Sequence, residues 1–213
     1  MFQRAWIALA VVACTVVIGF GPLGSVSGNL RLGEILDLAS QSKSLHIQVT
    51  RQGDAVDVWV ADGKRVRWEQ TPTQYGIARG SRLWEIDEKL NTVSSSENPW
   101  LDDENGRVNL LSMLGFHGDL ASDFRSSVSI EVVEHAGRRC DAYRLESQYN
   151  GKPLYLEAYV DRKTRELQTI AAWPDKSRRG IPLAELTLVA RNLAVDETKF
   201  VVAKSLSQDG RVG

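Results

Sequence analysis

Cysteine is nearly missing from this chain of 213 residues, which has two, Cys14 and Cys140. Cys14 falls in an apolar N-terminal stretch and Cys140 stands alone in the body, so the body forms no disulfide of its own; oxidising surroundings are permitted by this pattern, not indicated. Histidine is scarce too. His46, His117 and His135 are far apart and lack ligand spacing with one another or with Cys140, so no metal site is expected. Neither charge sign dominates: 26 basic residues stand against 27 acidic, a net charge of −1. That balance gives no reason to expect nucleic acid as a partner. The sequence has no His-Glu-x-x-His, no Gly-x-Ser-x-Gly and no phosphate-cradling glycine loop. Asp102-Asp103-Glu104 reads as a solvated carboxylate run before it reads as a calcium site. These absences together predict a non-enzymatic protein with no catalytic residue, metal or cofactor.

What is present begins with an apolar N-terminus. Arg4 supplies a short basic start, Ala5 to Phe20 are almost wholly apolar, Gly21-Pro22-Leu23-Gly24 breaks the run, and Ser25-Val26-Ser27-Gly28 offers small residues for cleavage. Residues 1–28 therefore read as an export signal. The run of about 16 residues is shorter than the roughly 20 needed to span a bilayer, although Gly21 to Gly24 would extend it, and an uncleaved membrane anchor is the alternative. Val11-Val12-Ala13-Cys14 also looks like a bacterial lipobox; a cysteine serving as a small hydrophobe in an apolar helix is the simpler account. Each version puts the body outside the cytoplasm or on the far face of its membrane.

The body, residues 29–204, alternates short elements before a polar tail at 205–213. Leu32, Ile35, Leu36 and Ala39 recur at helical spacing within Leu30 to Ser42. Leu45 to Arg51 alternates as a strand with one wet side, and Ala55 to Val60 follows the Gln52-Gly53-Asp54 turn. A three-residue loop Ala61-Asp62-Gly63 pairs Val58 with Val66 and Val56 with Trp68, and on the other face Asp57 with Arg67 and Trp59 with Arg65. Gly80-Ser81 makes the next hairpin, with Tyr75 facing Ile86, Ile77 facing Trp84, and Arg79 beside Arg82 at the tip.

One buried wall is thus expected to carry Val56, Val58, Val66, Trp68, Tyr75, Ile77, Trp84 and Ile86, packed on helices or lining a pocket. Ser94 to Gly106 reads as a loop, with Trp100-Leu101 in it as a flap, a docking point, or an aromatic tucked onto its own domain. Arg107 to Phe124 suggests one or two short helices. Asn150-Gly151 is the strongest turn signal and pairs Leu145 with Leu156 and Tyr143 with Ala158 inside, Arg144 with Glu157 and Ala142 with Tyr159 outside. Strands at Leu167 to Trp173 and Leu183 to Val189 complete a second meander. Nine or ten antiparallel strands with a helix before them and helical turns between imply an α+β, mainly β domain. Its curved sheet is an incomplete barrel, with the N-terminal helix and short helices over its concave face. Basic pairs at Arg138-Arg139, Arg162-Lys163 and Arg178-Arg179, with Lys176, fall in turns; they are solvated turns or a surface for anionic headgroups.

Several of these features resemble the periplasmic lipoprotein-carrier superfamily, the LolA-like and outer-membrane lipoprotein-sorting proteins. They are Gly33 to Ala39 leading into Leu45-His46-Ile47, the strand Val66-Arg67-Trp68-Glu69, Pro72, the turn Gly80-Ser81, and Leu83-Trp84-Glu85-Ile86-Asp87. The C-terminal half agrees in kind through Tyr159-Val160-Asp161, Leu167, Asn192 and Phe200. The resemblance implies a half-barrel lidded by helices, over a cavity that receives a lipid, an acyl chain or another hydrophobic ligand. It implies an exported domain, periplasmic or anchored to the inner membrane. Relatives in that superfamily also act as envelope regulators, so a protein partner in the envelope is the second expectation. The carriers' Arg-Pro before the tryptophan strand, whose arginine helps latch the lid, is replaced here by Ala61-Asp62-Gly63-Lys64.

Overall fold

The computed structural model describes residues 30–102 and 106–201; the leader, Asp103-Glu104 and the C-terminal tail lie outside these residues. Helix α1 (Leu32–Ser40) is followed by strands β1 (Ser44–Arg51), β2 (Asp54–Ala61), β3 (Arg65–Thr71), β4 (Gln74–Arg79), β5 (Arg82–Asp87) and β6 (Thr92–Glu97). A ribbon of β7 (Leu101–Asp102) and β8 (Arg107–Val108) leads to helices α2 (Leu110–Met113) and α3 (Gly118–Ser126). Then come β9 (Ser129–His135), β10 (Arg138–Tyr149), β11 (Lys152–Asp161), β12 (Leu167–Trp173), β13 (Ala184–Arg191) and a 3-10 turn, Glu197–Phe200.

Eleven strands form one antiparallel sheet in the order β6-β5-β4-β3-β2-β1-β13-β12-β11-β10-β9. The last strand, β13, returns between β1 and β12 and joins the two meanders, with Ile47 opposite Leu188 and Val49 opposite Leu186. Neither β6 nor β9 has an outer neighbour among the described residues, so the sheet stays open as a half-barrel. Its helices lie on one face. Leu32, Ile35 and Leu36 of α1, Leu111 of α2 and Phe124 of α3 share one core with Ile47, Val58, Val66, Leu156 and Leu186. Each such side chain, fully buried, contributes about 1.5–3 kcal/mol. The helices are also clasped by polar bonds: Arg125 Nη2 donates to Asp37 Oδ1 (2.7 Å), and the Tyr143 hydroxyl donates to the Leu30 carbonyl (3.1 Å).

Two hairpins form as their turn residues imply. Leu145 pairs with Leu156, Tyr143 with Ala158, Arg144 with Glu157 and Ala142 with Tyr159. Tyr75 pairs with Ile86, Ile77 with Trp84 and Arg79 with Arg82. The β2–β3 hairpin differs from expectation: its loop is Asp62-Gly63-Lys64, one residue later, so Val58 faces Trp68 and Val60 faces Val66, with Trp59 opposite Arg67 outside. Asp62 and Gly63 both take left-handed φ values, 54° and 65°, and the Lys64 N–H closes onto the Ala61 carbonyl (3.1 Å). A Cβ at Gly63 would lie 2.5 Å from the Ser40 carbonyl oxygen, so glycine also lets the loop seat against α1. The slip displaces partners by two residues, an even number, and the faces survive.

The β3–β4 hairpin carries the larger correction. At its turn Thr71 pairs with Gln74, but one step on Glu69 pairs with Tyr75, because Gln70 is bulged out. An unbulged ladder would put Trp68 opposite Ile77; the bulge sets it opposite Gly76 and Val66 opposite Ala78. Tyr75, Ile77, Trp84 and Ile86 consequently lie on the outer face, away from the helices. There Tyr75, Ile77 and Ile86 form a small separate core with Val93. The Arg67 guanidinium covers the Tyr75 ring at 4.0 Å, and the Tyr75 hydroxyl donates to Glu88 Oε1 (3.0 Å). A further difference is β6: Thr92–Glu97 reads as loop over its serines, yet pairs with β5 along six residues. Backbone hydrogen bonds make that ladder, and a polar edge strand discourages pairing with other chains.

Candidate functional site

Between the inner face of the first meander and the helical insert lies a cleft of about 800 Å³, within the range of small-molecule sites. Its floor is Val49 on β1, Val56 and Val58 on β2, Trp68 on β3 and Leu83 on β5. Its far wall is Pro99 and Trp100, Ser112 and Met113, and Leu183. Arg51, Gln52, Asp54, Glu85 and His117 bring polar groups to its margin.

Strand alternation aims the floor residues, and one cross-strand row carries Val58 and Trp68 of the floor towards Glu85 at the margin. Ile47, Val58, Trp68, Gly76, Glu85 and Ser94 stand opposite one another in turn on β1 to β6. Trp68 lies across β4 over Gly76: a Cβ added there would sit 2.0 Å from Trp68 Nε1. The missing side chain at Gly76 makes room for the indole, as strand glycines often do for a close approach. Leu83, one residue before Trp84, takes the inner face and is buried.

Trp100 is held by the chain around it. Buried Asn98 donates from Nδ2 to the Gly80 carbonyl (2.9 Å) and accepts the Trp100 N–H at Oδ1 (3.1 Å). The Trp100 carbonyl accepts the Asn109 N–H (2.7 Å). Leu101 belongs to β7 opposite Val108, so the chain is hydrogen-bonded on both sides of Trp100. Met113 ends α2, which starts where the Asn109 side chain accepts the Leu111 N–H (3.0 Å). From the sheet, Arg51 Nη2 donates to the Met113 carbonyl (2.6 Å). That bond ties the first meander to the insert in a chain whose Ala61–Lys64 stretch holds no arginine.

Of the eight wall residues expected from the sequence, the cleft brings together Val56, Val58 and Trp68. Val66 shares their face but is sealed in the core at 0% exposure. Tyr75, Ile77, Trp84 and Ile86 are on the other side of the sheet. Trp100 lines the cleft and Leu101 does not. Val49, Leu83, Glu85, Pro99, Met113 and Leu183 were not anticipated as its lining. Gly76, a glycine inside an apolar strand shortly after Pro72-Thr73, was the available signal for the bulge and for the face of Trp68.

The remaining chemistry-bearing groups lie elsewhere or singly. His46 stacks on Trp59 and bonds Asp57 Oδ1 at 3.0 Å; His135 stacks on Tyr159 and bonds Thr169 Oγ1 at 3.1 Å. Burial holds His135 below the usual imidazole range. Cys140 is buried, and desolvation pushes its thiol up. Among the described residues no three His, Cys, Asp or Glu side chains come together as a metal site, and no helix is long and apolar enough to cross a membrane.

No family model matches the chain, and no curated protein sequence matches it. Solved structures do. An uncharacterized conserved protein from Thermus thermophilus is similar at 14% identity and a TM-score of 0.47, over 81% of this chain and 94% of that one. The Pseudomonas aeruginosa MucA/MucB complex is similar at 16% identity and a TM-score of 0.44, over 81% of this chain and 61% of that one. A structure of MucB in complex with MucA(peri) is similar at 16% identity and a TM-score of 0.37, over 80% of this chain and 58% of that one. This chain thus spans about three fifths of the MucB-complex chains it matches. The functional reading rests on the cleft.

Proposed function

We propose that this is a non-enzymatic, exported envelope protein that binds a lipid, an acyl chain or another hydrophobic ligand in the cleft between its sheet and its helical insert. The observation that carries the reading is the cleft itself: about 800 Å³ floored by Val49, Val56, Val58, Trp68 and Leu83 and walled by Trp100 and Met113. Its margin is polar and its interior apolar, and burying an alkyl chain there is worth about 25 cal/mol per Å² of apolar surface. The likeness of the Trp68 to Asp87 stretch to the lipoprotein-carrier superfamily supports the same reading. The Arg51 bond to Met113 gives the insert a fastening that ligand entry would open. To test it, purified full chain is titrated with alkyl-chain quenchers and weighed by native mass spectrometry. Saturable quenching that is lost with Trp68→Phe and Trp100→Phe together is the expected result. No saturation and no retained mass would sink the proposal.

A protein-docking role is the second reading, favoured by one observation: the open edge strand β9 and the residue before it expose Val128, Ile130 and Val132 at 45%, 57% and 42%. Crosslinking in envelopes separates the two. A stable protein partner lost with Ile130→Lys, and no ligand in the cleft, would transfer the function to that edge.

A further inference from the structure

The cross-strand row through the cleft is graded in polarity. It starts at Ile47 and Val58, passes over the Trp68 indole lying on Gly76, and ends at Glu85 and Ser94 near the sheet edge. With neighbouring strands about 4.8 Å apart, Val58 to Glu85 is three steps, about 14 Å. A chain laid along that row would put its tail on apolar side chains and its head at a carboxylate beside tryptophan. Glu85 is exposed on the cleft margin, and its hydrogen bond among the described residues is a long one, 3.4 Å from Ser94 Oγ. No described lysine or arginine forms an ion pair with it. At the opposite end the charges are of both signs: Arg51 stands across from Asp54 in the β1–β2 ladder, and Arg51 is held by the Met113 carbonyl. Glu85 instead faces Gly76 and Ser94, so the cleft carboxylate with no cation opposite it in the ladder is the one at the aromatic end. Tryptophan faces attract cations, ammonium groups above all, and a carboxylate next to them adds direct charge attraction.

We infer that the ligand of this cleft is a cationic amphiphile, with its alkyl chain over Val56, Val58 and Trp68 and its ammonium group at Glu85, flanked by Trp68 and Trp100. This rests on the hydrophobic-ligand reading and narrows it to a chemical class. Glu85 acts as counter-ion; the two indoles supply cation–π contact and the start of the apolar track. An anionic chain of the same length would meet Glu85 as a like charge and lose that end of the site.

The test compares dodecyltrimethylammonium with dodecanoate, both below their micelle concentrations, binding to the full chain by calorimetry and tryptophan quenching. The wild type should prefer the ammonium probe by about tenfold or more. Glu85→Gln should bring the two affinities close together, Glu85→Lys should reverse the order, and Glu134→Gln, at an exposed carboxylate on β9 outside the cleft lining, should leave the preference as it was. Equal or tighter dodecanoate binding by the wild type, or an ammonium preference unchanged in Glu85→Gln, would overturn the inference and leave the cleft as a hydrophobic site. If neither probe saturates, the hydrophobic-ligand reading falls with it.

Discussion

Adding one methyl group at Gly76 tests the geometry of the cleft floor. The backbone there is not in the left-handed region, so alanine meets no conformational strain. By strand preference alone Gly76→Ala should stabilise by about 0.5–1 kcal/mol. The space forbids it: the new Cβ would lie 2.0 Å from Trp68 Nε1, 2.4 Å from Cε2 and 2.9 Å from Cδ1. The indole must lift off the sheet into the cleft, and overpacking of this kind costs roughly 1–3 kcal/mol. The net expectation is a loss of about 1–2 kcal/mol, which for a body of this size lowers the thermal midpoint by about 2–8 °C. Urea unfolding gives the free energy, and the same samples report weakened binding of an alkyl probe because the lifted ring occupies its place. In a Trp68→Leu background the clash is gone, and Gly76→Ala should become neutral or mildly stabilising; the difference is the coupling energy of the pair. Stabilisation by Gly76→Ala in the wild type, or an equal loss in both backgrounds, would refute the placement of Trp68 on Gly76.

Other expectations follow from the same structure. Ile77→Ala removes a side chain that is 1% exposed on the outer face; it should cost about 2–4 kcal/mol in urea unfolding while leaving alkyl-probe affinity unchanged. Arg51→Ala removes the bond to the Met113 carbonyl, so amides of α2 should exchange with deuterium faster than in the wild type, with those of β11 unaffected. The Tyr143 and Tyr159 phenols are both pushed up to about 12 by burial, with Glu157 adding to the effect at Tyr159. Their unfolded values are near 10, so the stability they contribute is fully present below about pH 10 and is lost as pH rises towards 12. Urea midpoints taken across that window should fall, and Tyr159→Phe should flatten the fall.

Local chemistry in the sequence reveals much of the architecture. Asn150-Gly151 and Gly80-Ser81 set their turns directly, and every pair expected around them forms. Helix α1 and the inner face of β2 follow from spacing alone. At Asp62-Gly63 the loop could sit one position either way, and the even slip preserved the faces while changing the partners. The site was less legible, for one reason. A bulge at Gln70 adds a residue to one strand and exchanges the faces of everything beyond it, which sends Tyr75, Ile77, Trp84 and Ile86 outside and brings Leu83 and Glu85 in. Alternation within β4 and β5 is correct on either account; only the register to β3 decides which face is the cleft, and hydrophobicity does not decide it because both faces of β4 are buried. The polar strand β6 was illegible for a different reason, since its ladder depends on backbone groups that every residue carries.

The central claim, that the cleft takes an apolar chain, is tested most directly by a crystal structure of the full chain with an alkyl probe brominated at its tail. Anomalous scattering should place the bromine over Val56 and Val58, beneath Met113, with the chain running past Trp68. Bromine over Tyr75 and Trp84 on the outer face, or no bromine peak in the cleft at saturating probe, would contradict the account.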